Sequence, residues 1–248
     1  MNVSYPAGWP LFHEYEEEIK TKNRFFLSSK FERLFCSIVS NESNTAVLSP
    51  DTPLYRARIN KPNEEFEYVH ELRGNKNAPS ANRASPIGIP YTYLAGDTKT
   101  ALAEIRANVR QPITVAEFHM GANKKIITLD GSAVYSGSKD AEFDSLEICS
   151  FILYLGLAFS APINVGESRD LAYLPCQYFA EFCKKYGFSG IRYPSAARGN
   201  SPDEDYYNYV IFNDDDLVFK EAKIYTITNI EHTIHYDGAS HLKEEDEK

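Results

Sequence analysis

Residues 11–40 place Phe12, Tyr15, Ile19, Phe26, Phe31, Leu34, Phe35 and Ile38 at helical spacings, and the run EYEEEIKTK supplies a charged face. The pattern predicts helices broken near Asn23 or Ser28-Ser29. The polar stretch NESNTAVLSPDTP (41–53) reads as a connector. Beyond it, LYRARI (54–59) alternates apolar and basic residues and reads as a strand. Residues 60–90 carry Gly74, Pro79, Pro86, Gly88 and Pro90 and read as a long loop, which in a compact domain is usually functional.

Further elements follow in order. Tyr91–Leu94 reads as a short strand. Asp97 or Thr98 caps a helix expected to run through Asn108, with Ala101, Leu102 and Ile105 as its apolar stripe. Val115–Phe118 and Lys125–Leu129 read as strands. The run ICSFILYLGLAFSAPI (148–163) is the most apolar of the chain; a membrane span needs about 20 residues, so it reads as a buried helix over 145–160. A helix from Leu174 to Tyr186 has Pro175 in its first turn and Gly187 as its stop. Gly190–Tyr193 and Tyr209–Phe212 complete the strands. The reading divides the chain into a helical appendage with its connector (1–53), a main domain (54–230) and a C-terminal tail (231–248) ending in the solvated run KEEDEK. Helices and strands interleave without a steady βαβ rhythm, which points to an α+β fold around a bent mixed or antiparallel sheet.

Composition narrows the function classes. Among 248 residues the apolar fraction is 43% and the charged fraction 25%, an ordinary globular balance. The net charge of −9 argues against direct nucleic acid binding, which needs a basic surface, but leaves room for a small anion held by a few arginines. Cys36, Cys149, Cys176 and Cys183 form no Cys-x-x-Cys pair and read as small buried hydrophobes in a reducing cytosol. Met1 to Pro10 has neither a basic nor an apolar signal region, so the expectation is a cytoplasmic protein with no membrane association.

Several residues are candidates for chemistry, though each taken alone has a plain structural reading. Arg56 and Arg58 sit two apart on a strand and share a face, where two planar guanidinium forks suit phosphate oxygens; otherwise they are solvated charges. Arg83 lies in a Pro- and Gly-rich loop leading to Tyr91 and Tyr93. Glu104 stands beside the apolar stripe of its helix. Ser195 ends the strand Gly190–Tyr193. His232-x-x-His235 lacks a third ligand, and no metal is expected. Ser136-Gly137-Ser138-Lys139 matches Ser-x-x-Lys without the companion motifs of a serine hydrolase. Tyr206, Tyr207 and Tyr209 follow acidic Asp203-Glu204-Asp205 and form either a partner surface or a packed strand.

The order of these blocks is more specific than any member. Leu-Tyr-Arg-Ala-Arg, Asn-Arg-x-x-Pro-x-Gly-Ile-Pro-Tyr-x-Tyr-Leu-Ala, Thr-Ala-Leu-Ala-Glu-Ile-Arg, Tyr-Leu-Pro-x-Gln-Tyr-x-Ala-Glu-Phe and Gly-Phe-x-Gly-Ile-x-Tyr-x-Ser occur in sequence across about residues 54–213. This series resembles the RES domain family, named for an Arg, a Glu and a Ser that map here onto Arg56, Glu104 and Ser195. One departure is Cys176, where the family's block carries Thr.

The resemblance implies a fold similar to that of ADP-ribosyltransferases. It also implies a toxin of a bacterial toxin–antitoxin pair, with an Xre-like antitoxin as partner, that degrades NAD by hydrolysis or phosphorolysis of the nicotinamide–ribose bond. NAD is then a substrate and no cofactor is implied. Under that chemistry Arg56 and Arg83 hold the pyrophosphate, Glu104 stabilises the ribosyl cation, Tyr93 packs against nicotinamide or ribose, and Ser195 bonds the substrate or Glu104. Tyr173 and Gln177 are further lining residues. Transfer of ADP-ribose to a macromolecule and a non-catalytic interaction module are the alternatives. The N-terminal helices are left with three roles: binding the antitoxin, joining a homodimer, or capping the core.

Overall fold

A computed structural model describes residues 9–61, 65–75, 77–133, 143–163, 166–197 and 206–230. His232, His235, Ser136–Lys139, the acidic residues 203–205 and the tail lie outside these. The fold is mixed α+β. Eight described strands form one sheet: β1 (Thr45–Leu48), β2 (Leu54–Ile59), β3 (Thr92–Ala95), β4 (Pro112–Met120), β5 (Lys124–Thr128), β6 (Gly190–Pro194), β7 (Tyr207–Ile211) and β8 (Leu217–Thr226). Their spatial order is β1-β5-β6-β7-β3-β2-β4-β8. Only the β5–β6 pair is parallel; the other pairs run antiparallel.

Alternation along the strands sorts side chains to two faces. Ile127, Ile191 and Val210 face a core built with α1 (Trp9–Glu17), α2 (Ser29–Ser40), α4 (Ser145–Ser160) and α6 (Leu174–Lys185), the last preceded by the short α5 (Arg169–Ala172), whereas Ile126, Tyr209 and Ile211 join Leu54, Leu94 and Phe118 on the other face. The N-terminal helices share the first core. Tyr15, Phe31, Phe35 and Phe151 are fully buried together, and Tyr15 Oη donates to Pro175 O at 2.6 Å. Helix α4 approaches β5 so closely that a Cβ at Gly156 would run into Leu129 O.

Three local differences from the sequence pattern have physical causes. The stretch 41–53, expected as a connector, contains a 3-10 turn at Glu42–Asn44 and the edge strand β1, paired with β5. The helix expected to run from Asp97 or Thr98 through Asn108 is α3 (Thr98–Glu104). Asp97 caps it by accepting from Thr100 N–H, but Arg106 takes a left-handed φ of 49° and Asn108 N–H bonds Gln111 Oε1 at 2.8 Å, closing a turn rather than another helical ring. Strand β8 had no alternating signal because one side of it is open: nine of its ten residues lack full burial, and its register against β4 shifts between Glu117 and Phe118. No helix among the described residues is long and apolar enough to cross a membrane.

Candidate functional site

Strands β2, β3, β6 and β7 bring Arg56, Tyr93, Tyr193 and Asn208 to one end of α3, where Glu104 is the last helical residue. Two cavities meet there. One, of about 450 Å³, is lined by Tyr55, Arg56, Arg58, Phe66 and Ile105 among others; the second, of about 390 Å³, is lined by Asn82, Arg83, Arg106, Phe159 and Tyr173 among others. Tyr93, Glu104, Tyr193 and Asn208 line both. These four residues, Glu104 among them, therefore stand between the lobes of a two-lobed cleft.

The carboxylate is exposed, yet its position is fixed from behind. Ser195 Oγ donates to Glu104 Oε1 at 2.5 Å and Asn208 Nδ2 donates to the same oxygen at 2.6 Å. Both donors are buried, at 5% and 6% exposure. Such charge-assisted bonds from buried partners hold one oxygen and leave Oε2 without a described partner. Asn208 reaches this place through register, lying opposite Tyr193 of β6 and Ala95 of β3.

Arg56 Nη1 donates to Tyr93 O at 3.0 Å, and Arg58 Nη2 to Arg73 O at 2.8 Å. Burial first, then the neighbouring Arg58, pushes the Arg56 guanidinium down to about 9, with Asp214 and Tyr93 opposing. It remains charged at neutral pH. Burial also lowers Arg58, against the pull of Glu71. Two guanidinium groups thus stand on one wall, each donating to a backbone carbonyl, with Arg58 Nε buried and without a partner among the described residues.

The RES domain profile matches residues 53–235. The chain belongs to the RES domain family. No curated protein matches it. Among solved structures it is similar to a chain in the crystal structure of the M. tuberculosis MbcT–MbcA toxin–antitoxin complex, at 10% identity and a TM-score of 0.45, covering 81% of this chain and 94% of that one.

The RES residues Arg56, Glu104 and Ser195 thus gather at one cleft, with distinct placements. Arg56 and Glu104 line it, whereas Ser195 lines neither cavity and stands behind Glu104, its hydroxyl also accepting from Ala197 N–H at 3.2 Å. Tyr93 lines both cavities, and its hydroxyl accepts from Ala84 N–H at 2.9 Å and lies 3.0 Å from Ser85 Oγ. Burial raises the Tyr93 phenol above its ordinary value, with those loop contacts opposing, so it stays neutral. Arg83 lines the second cavity, but its guanidinium donates to Ala158 O at 2.7 Å and to Ala161 O, closing the C-terminal end of α4, and lies over the Tyr173 ring. Gln177 lines neither cavity; its Nε2 donates to Asn82 O at 2.9 Å and reaches Ser85 O at 3.4 Å. Cys176, at the family's Thr position, is buried and its thiol is pushed up to about 12 by burial, so it is neutral.

Asn208 and Tyr193 were not singled out by sequence. Asn208 carried a signal: it is the one amide inside the apolar strand YNYVI, and a buried amide in such a strand needs a dedicated partner. Tyr193 packs on Phe159 at 5.2 Å between centroids. The tyrosines after the acidic run are packed rather than free: Tyr209 is buried, and Arg192 stacks on Tyr207 at 4.4 Å.

Proposed function

We propose that this RES domain is an NAD-cleaving enzyme that breaks the nicotinamide–ribose bond, acting as the toxin of a toxin–antitoxin pair with a protein antitoxin as partner. The observation that carries the reading is Glu104, exposed at the junction of two cavities and pinned through one oxygen by Ser195 and Asn208.

The chemistry asks for such a group. The nicotinamide of NAD is a cationic leaving group that departs neutral with the C1′–N bonding pair, so no strong general acid is required. Positive charge builds on the ribose as an oxocarbenium-like species, as in other glycosyl cleavages. A preorganised carboxylate stabilises that charge and accepts a hydrogen bond from a ribose hydroxyl. Water or phosphate then forms the new bond to C1′ and gives up its proton. In this reading Arg56 and Arg58 hold the pyrophosphate, and Tyr93 and Tyr193 wall the sugar and base.

The test is NMR of the purified protein with NAD, with and without phosphate, reading released nicotinamide and the ribose product. Loss of one such electrostatic contact costs about 3 kcal/mol of barrier, so Glu104→Gln is expected to slow nicotinamide release by about 100-fold while its fold is kept. Equal rates for the two proteins would remove Glu104 from the reaction.

A further inference from the structure

Helix α3 ends on Glu104, and the next residues turn the chain toward β4. Ile105 closes the helix in a right-handed conformation, and Arg106 follows at φ 49°, its N–H donating to Ala103 O at 3.2 Å. A left-handed residue just past a helix is the position glycine takes most readily, because a Cβ there crowds the backbone. Ala78, Arg106 and Arg110 are the non-glycine residues of positive φ among the described residues, and of these Arg106 alone lines either cavity. Backbone strain held next to a cleft carboxylate points to a use for the side chain.

That side chain lines the 390 Å³ cavity together with Arg83 and Glu104. The two arginines differ in commitment. Arg83 is spent on the carbonyls of Ala158 and Ala161 and on the Tyr173 ring. Arg106 is exposed, and its guanidinium makes no hydrogen bond or ion pair with a described residue. The other cavity has its own cations in Arg56 and Arg58. Guanidinium donors therefore stand on both sides of Glu104, and those of the second cavity include one with no partner among the described residues.

We infer that Arg106 is a binding residue for a phosphate group in the second cavity, beside Glu104. A guanidinium fork matches phosphate oxygens in two parallel bonds. The inference deepens the NAD-cleaving reading and rests on it for the ligand's class. The phosphate has two sources: the pyrophosphate of the dinucleotide, which then lies on this side of Glu104 rather than against Arg56 and Arg58, or free inorganic phosphate as the acceptor. In the second case a phosphate oxygen bonds C1′ as nicotinamide leaves with the old bonding pair, giving ADP-ribose 1″-phosphate.

The experiment is calorimetric titration of wild type, Arg106→Gly and Arg106→Lys with ADP-ribose and, separately, with inorganic phosphate. Neither ligand turns over. Losing a charged bidentate contact is expected to weaken binding roughly tenfold or more in Arg106→Gly, with partial recovery in Arg106→Lys. Weakening for ADP-ribose identifies the pyrophosphate; weakening for inorganic phosphate alone identifies the acceptor. The glycine variant is expected to melt no lower than wild type, because glycine relieves the left-handed backbone. Unchanged affinity for both ligands, no binding of either by wild type, or a lower melting temperature for Arg106→Gly overturns the inference. Binding lost in the variant of a protein that leaves NAD intact sinks the cleavage reading and not this one.

Discussion

Ser195 Oγ lies 2.5 Å from Glu104 Oε1 and donates to it, linking the end of β6 to the end of α3. The hydroxyl also accepts from Ala197 N–H and lines neither cavity, so in the proposed reading it orients the carboxylate instead of meeting substrate. Ser195→Ala is therefore expected to lower kcat for nicotinamide release roughly ten- to a hundredfold, the worth of one bond to a charged group, with KM little changed. Complete loss of turnover in a folded variant would instead give Ser195 a direct chemical part.

Asn208 offers a sharper probe of the same oxygen. Its Nδ2 donates to Glu104 Oε1 at 2.6 Å from a buried position. Asn208→Asp puts a second carboxyl where the donor was, and two carboxylates sharing a site resist ionising together. The acid limb of the pH–rate profile is expected to move up by about one unit or more, and by less in Asn208→Leu, which removes a donor to the carboxylate without adding a charge. Superimposable limbs for Asn208→Asp and wild type would show that Glu104 need not be ionised for turnover.

Arg56 is expected to set the alkaline side. Burial, then Arg58, pushes its guanidinium down to about 9. Substrate affinity is expected to fall as pH climbs through that value, seen as a rising KM. Arg58→Gln removes one of the two lowering causes, so the alkaline limb moves to higher pH even as overall affinity drops. Folding carries the opposite sense: between about 9 and the ordinary arginine range the unfolded chain holds a proton that the folded chain has released. The cost of burying charged Arg56 is full below about 9 and fades above it.

The parts of the fold legible in sequence are those whose burial is one-sided and local. Helix α4 runs from Ser145 to Ser160, the span expected from the apolar run 148–163, and α6 stops before Gly187, whose φ is +83°. Strands β1 and β8 were illegible because edge strands need no apolar alternation; what defines them is a partner strand far along the chain. The site divides the same way. Arg56 and Glu104 could be picked from ordered motif blocks. Asn208 depends on the register of β7 against β3 and β6, which no local pattern encodes. The different duties of Arg83 and Gln177 depend on where α4 ends and which loop carbonyls face inward.

Gln177 shows how a residue outside the cleft acts on it. The loop 82–85 closes on itself through Asn82 N–H to Ser85 O at 2.9 Å, and Gln177 Nε2 bonds the carbonyls of both residues from a position 9% exposed. The same loop holds the Tyr93 hydroxyl through Ala84 and Ser85. Gln177→Leu removes the donor to Asn82 O and Ser85 O, of which Ser85 O keeps its bond from Asn82 N–H, at a cost of about 1 kcal/mol, or a melting point lower by a few degrees. Tyr93 then loses its anchor, so KM for the dinucleotide is expected to rise more than kcat falls. Gln177→Glu separates the hydrogen bond from the shape. A carboxyl facing carbonyls is held protonated, with its pKa raised above the unfolded value, so this variant's stability falls further as pH rises through the carboxyl range, whereas Gln177→Leu shows no such slope. Thermal melts of both variants across that range check the argument: parallel curves would mean that Nε2 is not what secures the loop.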